Sequence, residues 1–325
     1  MTFRRRTLVQ CLALATSLGL PALALAQSFP SKPLRIVVPF GAGGVADLTA
    51  RTVAQKMAEG LGQPVVIDNK PGAGGVGAGE AVAKATPDGH TLLLMSNATA
   101  VSAGLFTSLP FNTLKDFAPV STLGYFDIAI VVPEASRFKS LTELLAFAKA
   151  NPGKLNLGTI AIGSTQNLAA ELFKSSAGVD LQVVPFNGTP AVLNALRGNQ
   201  VDAAVEILSP MLPQITAKAV RALAVMGDKQ SVALPDVPTV RASGIANFNV
   251  ASWNALAAPA GTPPEVIARL NREVAAALTH PDVKKRLLDL HIEAKASTPE
   301  QLGTLLSSEV KRWGDVITRA NIPRQ

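Results

Sequence analysis

The densest cluster of chemistry-capable residues is Pro39-Phe40-Gly41-Ala42-Gly43-Gly44-Val45-Ala46-Asp47. An apolar run precedes it and a helical pattern follows. Glycines at such a junction let the backbone turn sharply and leave N–H groups facing outward. The helix start adds a partial positive charge, so the segment is suited to an anion. Asp47 falls in the first turn, where a carboxylate complements the helix dipole; it is a candidate helix stabiliser or a contact for an amine. The same residues also satisfy a dinucleotide fingerprint, Gly41-x-Gly43-x-x-Ala46, with Asp68 near the place of a ribose-binding acid. A third possibility is a turn that only permits close helix packing.

Similar devices recur downstream. Gly163-Ser164-Thr165-Gln166 follows a β-branched run and opens a helix, with Ser164 or Thr165 as N-cap. Asn187-Gly188-Thr189-Pro190 repeats the pattern with Pro190 at a first helical position. Gly72–Gly75, which includes Gly74, and Ser96-Asn97 also stand at the ends of apolar runs. Ligands of open parallel sheets sit beyond the carboxyl ends of the strands, which is where all these segments fall. A carboxylate held between opposed helix starts needs only backbone N–H groups, hydroxyls and amides. Enzyme chemistry has less support. His90, His280 and His291 are far apart, no Gly-x-Ser-x-Gly elbow occurs, and no cofactor or metal is expected.

The elements that position these segments are legible as alternation. Strands are expected at Leu34–Pro39, Val65–Asp68, Thr91–Met95, Ile128–Val132, Leu155–Thr159, Leu181–Val184, Val201–Ile207 and Val220–Val225. Most are unbroken apolar runs, as for strands covered on both faces. Helices fall between them: Ala50, Val53, Ala54, Met57 and Leu61 share a face before Gly62. Capping boxes are expected at Ser140/Glu143, Thr262/Glu265 and Thr298/Gln301, the last opening a helix with Leu302, Leu305, Leu306, Trp313 and Ile317 on one side. This is an α/β pattern. Two stretches, Phe117–Val132 and Phe248–Ala258, are longer than one ordinary strand and could cross between lobes.

The leading residues read as an export signal. Arg4, Arg5 and Arg6 precede an apolar Leu12–Leu25 segment, and Ala24-Leu25-Ala26 is a small-x-small cleavage site, so residues 1–26 are expected to be removed after Ala26. The single cysteine, Cys11, leaves with them. The chain has 325 residues with 30 basic against 23 acidic side chains and no concentrated basic run, which suits a small anion better than nucleic acid.

The motifs in order resemble one family. Phe29–Gly44, Asp47 and Ala50-Arg51 look like the opening of the Bug family, the extracytoplasmic receptors of tripartite tricarboxylate transport. The likeness continues through Asp68–Gly75, Ala85–Gly89, Asp116–Val120, Val184–Gly188 with Pro190-Ala191, and Arg221–Val225, to Trp253 and Ala258–Pro263. The resemblance implies a type II periplasmic-binding-protein fold. Two α/β lobes would be joined by two crossing strands with a ligand cleft between them. Lobe one would comprise residues 27–126 and 248–325, and lobe two 127–247. It further implies a monomeric periplasmic receptor that binds a small carboxylate and passes it to membrane transporter subunits. A sensor for a signalling partner and an NAD-dependent oxidoreductase are the alternatives. The expected contacts are Phe40, Gly41, Ala42, Gly43, Gly44, Asp47, Gly74, Ser96, Asn97, Ser164, Thr165, Gln166, Asn187, Gly188, Thr189 and Glu206. The family often has His at the position of Asn167 and Asp at that of Glu206. Glu206 would narrow the pocket; it would either pair with a nearby Lys or Arg or, if charged and unpaired, repel an anion or attract a ligand amine.

Overall fold

The computed structural model describes residues 29–325 except 161 and 247. The expected leader and its cleavage site lie outside the described residues. The chain alternates β1 (Leu34–Val38), α1 (Val45–Leu61), β2 (Val65–Asn69), α2 (Val76–Ala83), β3 (Thr91–Ser96) and α3 (Asn97–Leu105), and then enters β4 (Phe117–Pro133). Next come α4 (Leu141–Ala150), β5 (Asn156–Ile160), α5 (Thr165–Ala177), β6 (Gln182–Phe186), α6 (Thr189–Arg197), β7 (Ala203–Ile207), α7 (Leu208–Thr216) and β8 (Val220–Val225). The chain returns through β9 (Ala251–Pro259), α8 (Pro264–Thr279), α9 (Pro281–Asp289), β10 (Glu293–Ala294) and α10 (Pro299–Arg319).

Two sheets share one strand. In the first, β1 pairs parallel with β2 and β3, β3 pairs antiparallel with β9, and β9 pairs antiparallel with β4. In the second, β5 pairs parallel with β6 and β7, while β4 lies antiparallel to both β7 and β8. The long apolar Phe117–Pro133 run makes both connections. It faces β9 as far as Asp127, opposite Ala251, and faces β7 from Ile128, opposite Ile207. The extended stretch expected at Phe248–Ala258 is strand from Ala251 onward, where it pairs within the first sheet, and just before it the Val250 N–H donates to the Met226 carbonyl beside β8 at 2.6 Å.

The parallel strand β1, between β2 and β3, is apolar apart from Arg35, as for a strand covered on both faces. Leu34, Ile36, Val37 and Val38 of β1 are all buried. One hydrophobic cluster runs through both sheets and their helices: it contains Leu93 and Met95 of β3 and Trp313 of α10, and Leu157 of β5 with Leu168 and Phe173 of α5. Phe173 of α5 meets Phe248 edge-on at 6.3 Å. The Ser209 hydroxyl of α7 donates to the Leu290 carbonyl, just after α9, at 2.6 Å.

The helix caps formed in part. Thr298 and Gln301 make the full box, and α1 ends at left-handed Gly62. The Ser140 hydroxyl accepts from the Glu143 N–H, but the Glu143 carboxylate accepts from Lys139 instead of closing the box. The Thr262/Glu265 box does not form. Thr262 turns its hydroxyl back onto the Pro259 carbonyl at 2.8 Å, and Pro263 takes the N-cap place.

Candidate functional site

The loop between β1 and α1 is built around a buried acid. Gly41–Gly44 are exposed, and Gly43 has φ +81°. A Cβ at Gly43 would meet nothing within 4 Å, so glycine is required there by backbone conformation, not by crowding. Asp47, only 1 % exposed, accepts from the Gly43 N–H at 2.8 Å, from Arg51 Nε at 2.9 and 3.0 Å, and from Asn69 Nδ2 at 2.9 Å. Asn69 Nδ2 also donates to the Phe40 carbonyl at 3.0 Å. Burial raises the Asp47 pKa, but the hydrogen bonds from Arg51, Gly43 and Asn69 outweigh it and hold the carboxyl below its ordinary range. Both Asp47 oxygens are engaged by the loop itself. The carboxylate therefore shapes the turn, and its outward face is backbone.

The loop between β5 and α5 follows the same plan. Gly163 has φ +80°, and its N–H points to Asn167 Oδ1 at 3.4 Å, again four residues on. Asn167 Nδ2 donates to Thr159 Oγ1 at 3.2 Å, and its N–H donates to the Ser164 hydroxyl at 3.1 Å, so Ser164 is the N-cap. Thr165, Gln166 and Asn167 are buried. Gly163 packs on lobe one: a Cβ there would come within 2.5 Å of Leu105 Cδ2.

At the third helix start, Asn187 is exposed and Gly188, with φ +88°, is the N-cap of α6. Thr189 Oγ1 donates to Glu206 Oε2 at 3.0 Å. Glu206 is fully buried near the end of β7, opposite Ala129. Gln166 and the Ile207 N–H stand close enough to favour its ionised form, yet Oε1 completes no hydrogen bond. Burial dominates and pushes the carboxyl up to about 7, with no charged neighbour contributing. The lysine or arginine partner considered for Glu206 does not occur among the described ion pairs.

In lobe one, Ser96 caps α3 in a box with Thr99. Asn97 is fully buried; its Nδ2 donates to the Ala251 carbonyl at 3.1 Å and its Oδ1 has no partner. The Gly74 carbonyl accepts from Ser102 Oγ at 2.7 Å. Sequence reasoning missed Asn254. It lies on β9 opposite Ser96, is 1 % exposed, and leaves both amide atoms unpartnered. A lone amide in a strand whose other side chains are apolar apart from Ser252 and the Trp253 N–H was the available signal.

Asp68, the ribose-binding candidate, is committed to Arg35 at 3.4 Å and Lys70 at 3.8 Å. It is the next residue, Asn69, that turns to the glycine loop. Among the described residues no group of three or more His, Cys, Asp or Glu could hold a metal ion, and no helix is long and apolar enough to cross a membrane.

Residues 49–322 match the family model of the tripartite tricarboxylate transporter family receptor. The chain belongs to this family. Its members are a solute-binding receptor class, and the Bug resemblance is borne out. The receptor is 35% identical to protein BugT of Bordetella pertussis over 302 residues, 92% of each chain. It is similar to the structure of MatC from Rhodopseudomonas palustris with bound malate: 35% identity, TM-score 0.79, covering 89% of this chain and 100% of that one. It is also similar to an R. palustris protein with adipate: 31% identity, TM-score 0.82, covering 91% and 100%. The two-lobed periplasmic-binding-protein fold expected from the resemblance is thereby established.

Proposed function

We propose that this receptor captures a small carboxylate-bearing metabolite between its lobes in the periplasm and delivers it to the membrane subunits of a tripartite tricarboxylate transporter. The observation that carries this reading is the repeated loop: strand, left-handed glycine, helix start, once in each lobe, at the carboxyl ends of parallel strands. Exposed N–H groups at such a start complement an anion without a full positive charge. Malate and adipate in related structures support a mono- or dicarboxylate. The contacts are Phe40–Gly44, Gly74, Ser96, Asn97, Ser164–Gln166 and Asn187–Thr189, with Asp47 and Glu206 acting through the loops they hold. The protein acts as a monomer and is not an enzyme. Lobe one comprises residues 27–126 and 248–325 and lobe two 127–247, and the change of partner along β4 at Asp127 supports that division.

The test is calorimetry with a panel of carboxylic acids and their primary amides. The reading expects at least one acid to bind and its amide to fail; equal affinity for both would sink it. A ligand touching both lobes favours the closed form, since only differential affinity shifts a population. Saturating ligand should therefore shrink the radius of gyration in X-ray scattering.

A further inference from the structure

Glu206 lies behind the two helix starts of lobe two. Thr189 at the start of α6 donates to it, and Gln166 at the start of α5 stands close by. It is fully buried, has one unpartnered oxygen and has no cation beside it. The charged groups on the elements packed against β7 are few: Asp127 on β4, Glu171 and Lys174 on α5, and Arg197 on α6, while β5 and α7 carry none. Arg197 is engaged with Gln214 and Lys174 with Asp180, and none of the four adds to the electrostatics at Glu206. The charge on Glu206 is thus uncompensated by any charged side chain. Its counterweights are the Thr189 hydroxyl, Gln166 and the Ile207 N–H, and Thr189 and Gln166 stand at the two helix starts whose partial charges a bound carboxylate would use.

Two anions on opposite sides of one pair of helix starts compete for the same dipoles and repel each other. Where like charges crowd a desolvated site, one of them takes up a proton. We propose that Glu206 is a positioning residue that must be neutral for lobe two to hold the ligand carboxylate, so that ligand capture is coupled to uptake of one proton. This rests on the receptor reading above. In the free protein the carboxyl titrates at about 7, so the neutral form is abundant at pH 6 and scarce at pH 8. Apparent affinity is then expected to fall about tenfold from pH 6 to pH 8.

The experiment uses the full mature chain and the tightest binder from a panel that includes malate and adipate, titrated at pH 6, 7 and 8 in wild type and Glu206→Gln. The amide keeps an oxygen for Thr189 and is neutral throughout. Wild type should lose about tenfold across the range. Glu206→Gln should show no slope and bind about tenfold more tightly than wild type at pH 8. Calorimetry in two buffers of different ionisation enthalpy should show proton uptake by wild type alone, and melting curves confirm that both are folded. A flat wild-type profile, proton release, or the same slope in Glu206→Gln would overturn the proposal and leave the receptor reading intact. Failure of every carboxylate to bind either protein at any pH would overturn the receptor reading and this proposal with it.

Discussion

The two helix-start loops share a backbone plan and differ in charge. In lobe one, Gly43 is braced by Asp47; in lobe two, Gly163 is braced by Asn167, and each brace is four residues beyond its glycine. The following turn explains the difference. Four residues after Asp47 stands Arg51, which pairs with it at 2.9 Å. Four residues after Asn167 stands Glu171, whose carboxyl is itself pushed up by burial, with Lys174 offsetting part of the effect. An acid at 167 would meet a like charge across one helical turn. The comparison teaches that the geometry of an anion loop can be kept while the sign of its support changes, provided the neighbour one turn on changes with it.

The largest effect that would test this contrast is at Glu206, the buried acid with no cation. Its pKa rises on folding, so the stability linked to it is fully present below the unfolded value of 4.5 and lost as pH rises through about 7. Glu206→Gln should therefore be more stable than wild type at pH 8 by about 3 kcal/mol, and the gap should close below pH 4.5. Urea unfolding at several pH values measures it, and a constant gap would mean that Glu206 is not the titrating group.

Asp47 should show the opposite sign. Its pKa is depressed, so its stabilisation holds above the unfolded value of 3.8 and fades as pH falls through the folded one. Asp47→Asn places an amide N–H₂ among the donors of Arg51, Asn69 and Gly43. A loss of about 2 kcal/mol is expected at pH 7, shrinking below pH 4. An equal loss at pH 7 and pH 3 would show that shape, not charge, does the bracing.

Asn167→Asp sharpens the comparison from the other side. It should cost about 1 kcal/mol at neutral pH through repulsion by Glu171 and desolvation. Adding Glu171→Arg should recover most of that loss by recreating the lobe-one arrangement. No recovery in a double-mutant cycle would mean that the braces are not equivalent. The smallest effect on folding is expected at Gly44→Ala. Gly44 has an ordinary extended φ of −77°, and its added Cβ would lie 3.6 Å from the Gly41 carbonyl. Stability should change by only about a few tenths of a kcal/mol, read from the melting temperature, whereas Gly43→Ala should lose about 1 kcal/mol because of its φ of +81°.

What could be seen in the sequence was local. The glycine turns, the Ser164 cap, the Thr298/Gln301 box and the long Phe117 run each depend on residues within a few positions of one another. The network of Asp47 with Asn69 was hidden because it joins the first turn of α1 to the end of β2, 22 residues on, though Asp47 itself was readable as structural. The isolation of Glu206 could not be read at all. Whether an acid finds a cation depends on what folds over it, and here the nearby helices turn Lys174 and Arg197 to other partners. The Thr262/Glu265 box was a false positive for a related reason: adjacent prolines and an open carbonyl at Pro259 offered the hydroxyl a different bond.

The order of pairing in the first sheet also bears on how the chain acquires its shape. Strand β9 lies between β3 and β4, and α10 packs on α3, yet both follow the whole of lobe two in the chain. Until residues 251–259 arrive, β3 and the first half of β4 each have a backbone edge whose N–H and C=O groups lack their β9 partner. The parallel strands β5, β6 and β7 of the second sheet lie close in sequence and face no such delay. The middle of the polypeptide is therefore expected to fold before its beginning. A chain fed through a membrane pore from its N-terminus would keep its first 120 or so residues threadable for longest, and slow-folding variants should trap with the middle formed and those residues still open to proteases.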